Sequence, residues 1–226
     1  MRLLLAIVAA WALAATAFAQ QAVSFSTEDG ASIAALQYGS GEHAVLLVHG
    51  GRFTKESWAK QVPAFRSAGY AVLAIDLRGF GQSHGPGEKD PSDVQQALDV
   101  LAAVRYLRTH GAKTVSIVGG SMGGAAAGDA SITSRPGEID RIVMLGAAPN
   151  LPADKLKSPA LFLLARDDAS GSDGPRLPGI RAQYEKAPQP KKLIILDGSA
   201  HAQYLFQTDQ ADRVMREILQ WFSKSQ

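Results

Sequence analysis

Four short runs dictate the architecture of this chain: Ala44 to Val48, Tyr70 to Ile75, Thr114 to Val118 and Arg141 to Leu145. Each is nearly continuous in Val, Ile, Leu and Ala rather than alternating with polar residues, so each needs cover on both faces, as strands of a parallel sheet do. Helical patterns separate them. Lys55 to Ser67 is one, and Ser92 to Thr109 another, with Val94, Leu98, Leu101, Val104 and Leu107 spaced by threes and fours along one face. This alternation predicts an α/β fold: a three-layer sandwich with a mostly parallel, doubly wound sheet between two helical layers. Ala160 to Ala165 and Lys192 to Leu196 extend the sheet, and Val23 to Ser26 and Ile33 to Tyr38, joined at Glu28-Asp29-Gly30, form an opening hairpin. The sheet then has about eight strands. A last helix is expected over Asp209 to Phe222, and Ala169 to Pro178 is the one long loop signal. With 226 residues and no linker or repeat, residues 20–226 are expected to form one domain.

Charge narrows the partners. The 23 basic and 21 acidic side chains leave a net charge of +2 with no basic run, so a nucleic-acid partner is not expected. Residues 1–19 differ from the rest: Arg2 precedes an apolar run from Leu3 to Phe18, and Ala17-Phe18-Ala19 carries small residues where a signal peptidase cuts. Export to a periplasm or beyond the cell is the expectation, with the mature chain starting near Gln20 and keeping no membrane span. An uncleaved anchor is the alternative, but the run is shorter than the ~20 residues that cross a bilayer. The chain has no cysteine, which removes disulfides, thiolate nucleophiles and cysteine metal sites.

The chemistry concentrates after the strand Thr114 to Val118, in Gly119-Gly120-Ser121-Met122-Gly123, followed by the small residues Gly124 to Ala127. A strand that turns sharply into a helix needs glycine flanks to avoid clashes, and it pushes the Ser121 hydroxyl out at the carboxyl edge of the sheet. A serine hydroxyl is a weak nucleophile and needs a base. The plainer alternative, a glycine-rich phosphate turn, lacks its lysine.

Three segments in sequence order carry a family resemblance. Val45-Leu46-Leu47-Val48-His49-Gly50-Gly51, Asp76-Leu77-Arg78-Gly79-Phe80-Gly81-Gln82-Ser83 and Gly119 to Gly123 together resemble the α/β-hydrolase superfamily. The resemblance implies a serine hydrolase acting on ester or related acyl bonds of a small-molecule substrate, with Ser121 as nucleophile. In that family the acid and then the histidine follow on loops after late strands. The resemblance puts the acid at Asp168 in Ala165-Arg166-Asp167-Asp168, with Asp167 the alternative, and the base at His201 in Gly198-Ser199-Ala200-His201. An imidazole titrates near ~6.5, so it can both take and return a proton.

By the same resemblance, the backbone amides of Met122 and Gly51, with Arg52 the alternative to Gly51, stabilise the oxyanion, and His49 shapes the loop that carries the second. Asp76 and Arg78 are expected to pair with each other and brace the elbow. His43, His84 and His110 read as exposed. No metal or other cofactor is implied: histidines and carboxylates lack metal-ligand spacing, and Gly-x-Gly-x-x-Gly is absent after Ala44 to Val48. Only Gly146 to Pro159 separates two late strands, too little for a lid domain, so the site is expected to be open. Specificity is then expected from loops at Gly51 to Thr54, Ser83 to Asp90 and Ala169 to Pro178, with Met122, Phe53 and Tyr204 supplying apolar contacts to an acyl group. The fold also hosts peptidases and non-catalytic binding proteins, the two alternatives in function.

Overall fold

Along the central strands, successive side chains divide between two separate cores. In β3 (His43–Val48), Ala44, Leu46 and Val48 enter one core and Val45 and Leu47 the other; β4 (Ala71–Ile75), β6 (Arg141–Leu145) and β7 (Ala160–Ala165) alternate likewise. A strand with both faces buried gains nothing from polar residues on either, which is why these segments read as continuous apolar runs.

The computed structural model describes residues 20–86, 95–170 and 174–223. The expected leader, residues 1–19, lies outside the described residues, as do the start of the helix expected from Ser92 and parts of the loops at Ser83 to Asp90 and Ala169 to Pro178.

The main sheet has eight strands in the order β1-β2-β4-β3-β5-β6-β7-β10, where β1 is Gln20–Ser26, β2 Ser32–Tyr38, β5 Thr114–Gly120 and β10 Lys191–Leu196. Only the β1–β2 and β2–β4 pairings are antiparallel; the others are parallel. One core lies beneath α2 (Gln96–Thr109), α3 (Met122–Thr133) and α4 (Leu177–Lys186). The other lies beneath α1 (Val62–Ser67) and α5 (Ala211–Ser223), with Trp58, Phe65 and Trp221 at its centre. Ala169–Ser170 (β8) and Gly174–Pro175 (β9) form a separate small ladder. This is the expected three-layer sandwich.

Two stretches differ from the sequence expectation. Lys55 to Ser67 is not one helix but a short 3-10 turn, Lys55–Trp58, followed by α1. Pro63 cannot donate a backbone hydrogen bond, so it is tolerated only in a first turn and the helix begins just before it. Conversely, the loop expected over Ala169 to Pro178 overlaps the start of α4, where Pro178 sits in the first turn and its fixed φ suits a helix. Between β6 and β7, residues 146–159 hold only the 3-10 turn Ala153–Lys155, so no lid domain lies there.

Candidate active site

At the end of β5 the chain reverses into α3 through Ser121, whose backbone lies at φ 50°, ψ −117°, a region a non-glycine residue enters only under constraint. The glycines around it are required by space. A Cβ on Gly119 would lie 2.2 Å from the Gly123 carbonyl oxygen, and one on Gly123 would lie 2.5 Å from the carbonyl oxygens of Val48 and His49. The elbow is therefore locked against β3, and the Ser121 side chain stands at the mouth of the sheet.

His201 and Asp168 meet it there. The His201 Nε2 lies 2.8 Å from Ser121 Oγ, and Nδ1 lies 2.8 Å from Asp168 Oδ2. A carboxylate only accepts, so the proton sits on Nδ1 and Nε2 is left to accept from the hydroxyl. Asp168 is wholly buried, whereas Asp167 is exposed and its N–H donates to the Gly198 carbonyl. The structure thus resolves the two adjacent carboxylates in favour of Asp168 as the residue facing the imidazole. Arg176 approaches from the far side, with Nε 3.4 Å from Asp168 Oδ1.

Two residues that the sequence did not single out hold this arrangement. Gly146, at the end of β6, has φ +59°, and a Cβ there would lie 3.0 Å from Asp168 Oδ2, His201 Nδ1 and the Ala202 nitrogen. Gln203, buried two residues past His201, accepts the Gly50 N–H at 2.7 Å through Oε1 and donates to Ser57 Oγ at 2.8 Å through Nε2. With Gly50 engaged, the exposed Gly51 is the next amide along the loop beside Ser121. On the other side Met122 opens α3, so its N–H has no carbonyl one turn behind it. Gly51 thus lines a cavity with Ser121, and Met122 directly follows that serine.

His49 is buried beneath this loop: its Nε2 accepts the Leu77 N–H at 3.0 Å and its Nδ1–H donates to the Gly50 carbonyl at 2.8 Å. Burial pushes its imidazole below the ordinary histidine value, so it stays neutral and structural. His43, His84 and His110 are exposed.

Asp76 and Arg78 do not pair with each other, contrary to expectation. Residues two apart on an extended exit are pulled to separate partners here. Asp76 is bound by Lys55 Nζ at 2.7 Å, and by the Lys55 and Gln82 amides. Arg78 bonds Asp99 at 2.7 Å and also Asp29, joining the turn before β2 to the first turn of α2. Burial alone would push the Lys55 ammonium down, but Asp76 and Glu56 outweigh it and hold it above its usual value.

Two cavities meet at Ser121. One, of about 520 Å³, is lined by Met122, Gln96, Asn150, Ile180 and Gln183; the other, of about 470 Å³, by His201, Gly51, Arg52, Phe53 and Tyr204. Arg176 and Ser170 border both. Met122 lines the first cavity and Phe53 and Tyr204 the second, with the Met122 sulfur also beside Gly51. Among the described residues, no group of three or more His, Asp or Glu side chains is placed to hold a metal ion, and no helix is long and apolar enough to cross a membrane.

A family model described as alpha/beta hydrolase fold matches residues 43–172. Over 127 residues the chain is 32% identical to a 2-hydroxy-6-oxononadienedioate/2-hydroxy-6-oxononatrienedioate hydrolase of Burkholderia vietnamiensis, covering 54% of this chain and 42% of that protein. It is 30% identical over 134 residues to a non-heme haloperoxidase of Rhodococcus erythropolis, covering 59% and 47%. The chain thus spans less than half the length of these relatives. Among solved structures, an esterase of Pyrococcus furiosus superposes with a TM-score of 0.75 at 18% identity, covering 92% of this chain and 94% of that one, a likeness of fold.

Proposed function

Since the chain belongs to the alpha/beta hydrolase fold family, and a hydrolase is among its relatives, we propose that this enzyme is a serine hydrolase that cleaves carboxylic esters or related acyl bonds. One observation carries the reading: the unbroken hydrogen-bonded chain from Ser121 Oγ through His201 to the buried Asp168.

In the proposed reaction Ser121 Oγ attacks the acyl carbon as its proton passes to His201 Nε2. Asp168 keeps the imidazole in the tautomer that can receive it and stabilises the resulting imidazolium. The tetrahedral oxyanion lies between the amides of Met122 and Gly51, the first also favoured by the positive end of α3. His201 then protonates the departing alkoxide, leaving an acyl group on Ser121. Water, deprotonated by the same imidazole, releases the acid and restores the serine. With no lid domain between β6 and β7, this site is open to small-molecule substrates in solution. Residues 1–19 belong to the same proposal as a cleaved export signal, checked by the N-terminal sequence of the protein recovered outside the cytoplasm.

Labelling with a fluorophosphonate probe tests the reading. The purified protein should be labelled at Ser121 and hydrolyse chromogenic esters, and Ser121→Ala should lose both. A folded wild-type protein that takes no label would be a binding protein, and cleavage of peptides but not esters would make it a peptidase.

A further inference from the structure

The two cavities at Ser121 are chemically unlike, and the position of His201 says which part of an ester enters each. The imidazole must hand its proton to the oxygen of the departing alcohol, so that alcohol has to lie on the His201 side of the serine. His201 lines only the cavity shared with Phe53 and Tyr204. The acyl part is left the opposite cavity, beside Met122 and the side-chain amides of Gln96, Asn150 and Gln183.

Phe53 and Tyr204 form a wall, the first on the loop after Gly51 and the second in the 3-10 turn Ala202–Gln207 that follows His201. Their ring centroids are 5.2 Å apart with planes inclined at 56°. Tyr204 is 37% exposed, the large hydrophobic side chain that folding leaves open among the described residues. Inclined rings present a face and an edge together, which is the geometry a third aromatic ring packs against. Arg52 and Arg176 line the same cavity, Arg176 also facing the buried Asp168, and among the described residues no aspartate or glutamate lines it.

From this, and resting on the serine hydrolase reading above, we propose that Phe53 and Tyr204 form a leaving-group subsite for aromatic alcohols, and that the two arginines disfavour a positive charge on the ring. The preferred substrates are aryl esters whose phenol is neutral or anionic, with a small or polar acyl group in the other cavity. The bond balance is that of ester hydrolysis: the acyl–oxygen bond breaks, the phenol oxygen takes the proton from His201, and water supplies the oxygen of the acid.

The test compares kcat/KM for acetate esters of phenol, para-hydroxybenzoate, a para-trimethylammonio phenol, trifluoroethanol and ethanol, each divided by its rate with hydroxide so that intrinsic reactivity cancels. The expected result is a normalised preference on the order of tenfold for the phenyl and para-hydroxybenzoate esters over the alkyl ones, the scale of one or two ring contacts. The cationic ester should fall below both aryl esters. Tyr204→Leu should narrow the aryl-to-alkyl ratio toward one. A protein that labels at Ser121 but shows no normalised aryl preference, or keeps it in Tyr204→Leu, overturns the subsite and leaves the hydrolase reading standing. Loss of labelling in the wild type overturns both.

Discussion

Gln203 holds the loop that carries one proposed oxyanion amide from the loop that carries the proposed base: its Oε1 accepts the Gly50 N–H at 2.7 Å. The same side chain donates to Ser57 Oγ, which in turn donates to the Thr54 carbonyl at 2.6 Å, so the turn after Gly51 is fixed at both ends. Replacing it with leucine leaves the Gly50 N–H unpaired and loosens the His49–Gly50 peptide, one link before the Gly51 amide, while the Gly50 carbonyl stays held by His49 and the Phe53 N–H. Complete loss of one oxyanion donor costs roughly 100- to 1,000-fold. Gln203→Leu, which displaces the donor without removing it, should lower kcat by about tenfold or more. The check is steady-state kinetics on one ester: kcat should fall with KM little altered, and a variant with wild-type kcat would show that Gln203 only packs.

Gly146 gives a second expectation, for a substitution that adds a single methyl group. At φ +59° an alanine is strained whatever the space, by roughly 1–2 kcal/mol. Its Cβ would also press on Asp168 Oδ2 and His201 Nδ1 at 3.0 Å, against the hydrogen bond between them. Gly146→Ala should therefore lose both stability and fluorophosphonate reactivity. Gly137→Ala is the control: its φ is +76° but nothing lies within 4 Å of the added carbon, so it should carry the stability cost without the loss of labelling.

The buried pair Lys55 and Asp76 should behave asymmetrically under substitution. Their side chains are 3% and 0% exposed. Asp76→Ala strands the Lys55 and Gln82 amides and leaves the buried ammonium only Glu56 and the Gln82 side chain, at a cost on the order of 3–5 kcal/mol in urea unfolding. Replacing both, as Lys55→Met with Asp76→Leu, leaves no buried charge and should cost less than the single change. A double variant less stable than Asp76→Ala would show that the Lys55 and Gln82 amides, rather than the charge, set the penalty.

How much of this was legible in the sequence depended on how local each requirement is. The elbow could be read because Gly119, Ser121 and Gly123 satisfy one tight turn, and the central strands because burial on both faces writes itself into every residue of a run. Only the resemblance put Asp168 ahead of Asp167, since the choice rests on a loop that turns one inward while the other bonds Gly198. Gly146 and Gln203 carried no local signal at all. Gln203 meets Gly50 across 153 positions, and Gly146 is constrained by loops that follow β7 and β10. The expected pairing of Asp76 with Arg78 failed because closeness in sequence stood in for closeness in space, whereas Lys55 and Asp99 reach them from other elements.

His49 makes the acid stability of the fold testable. Burial holds its imidazole below the ordinary value, outweighing the bond to the Gly50 carbonyl and the field of Asp76. The unfolded chain therefore binds a proton at this position at a higher pH than the folded one does. In the window between the two, stability rises with pH, so the contribution is whole above the unfolded value of ~6.5 and is lost as pH falls toward the folded one. For one proton the slope cannot exceed about 1.4 kcal/mol per pH unit. Protonating Nε2 would also remove the acceptor of the Leu77 N–H, loosening the strand end from which the Asp76 loop departs. Urea unfolding at about pH 7 and about pH 5 should show the wild type losing more stability over that interval than His49→Asn, which has no proton to gain. Equal losses in the two proteins would place the acid sensitivity elsewhere than His49.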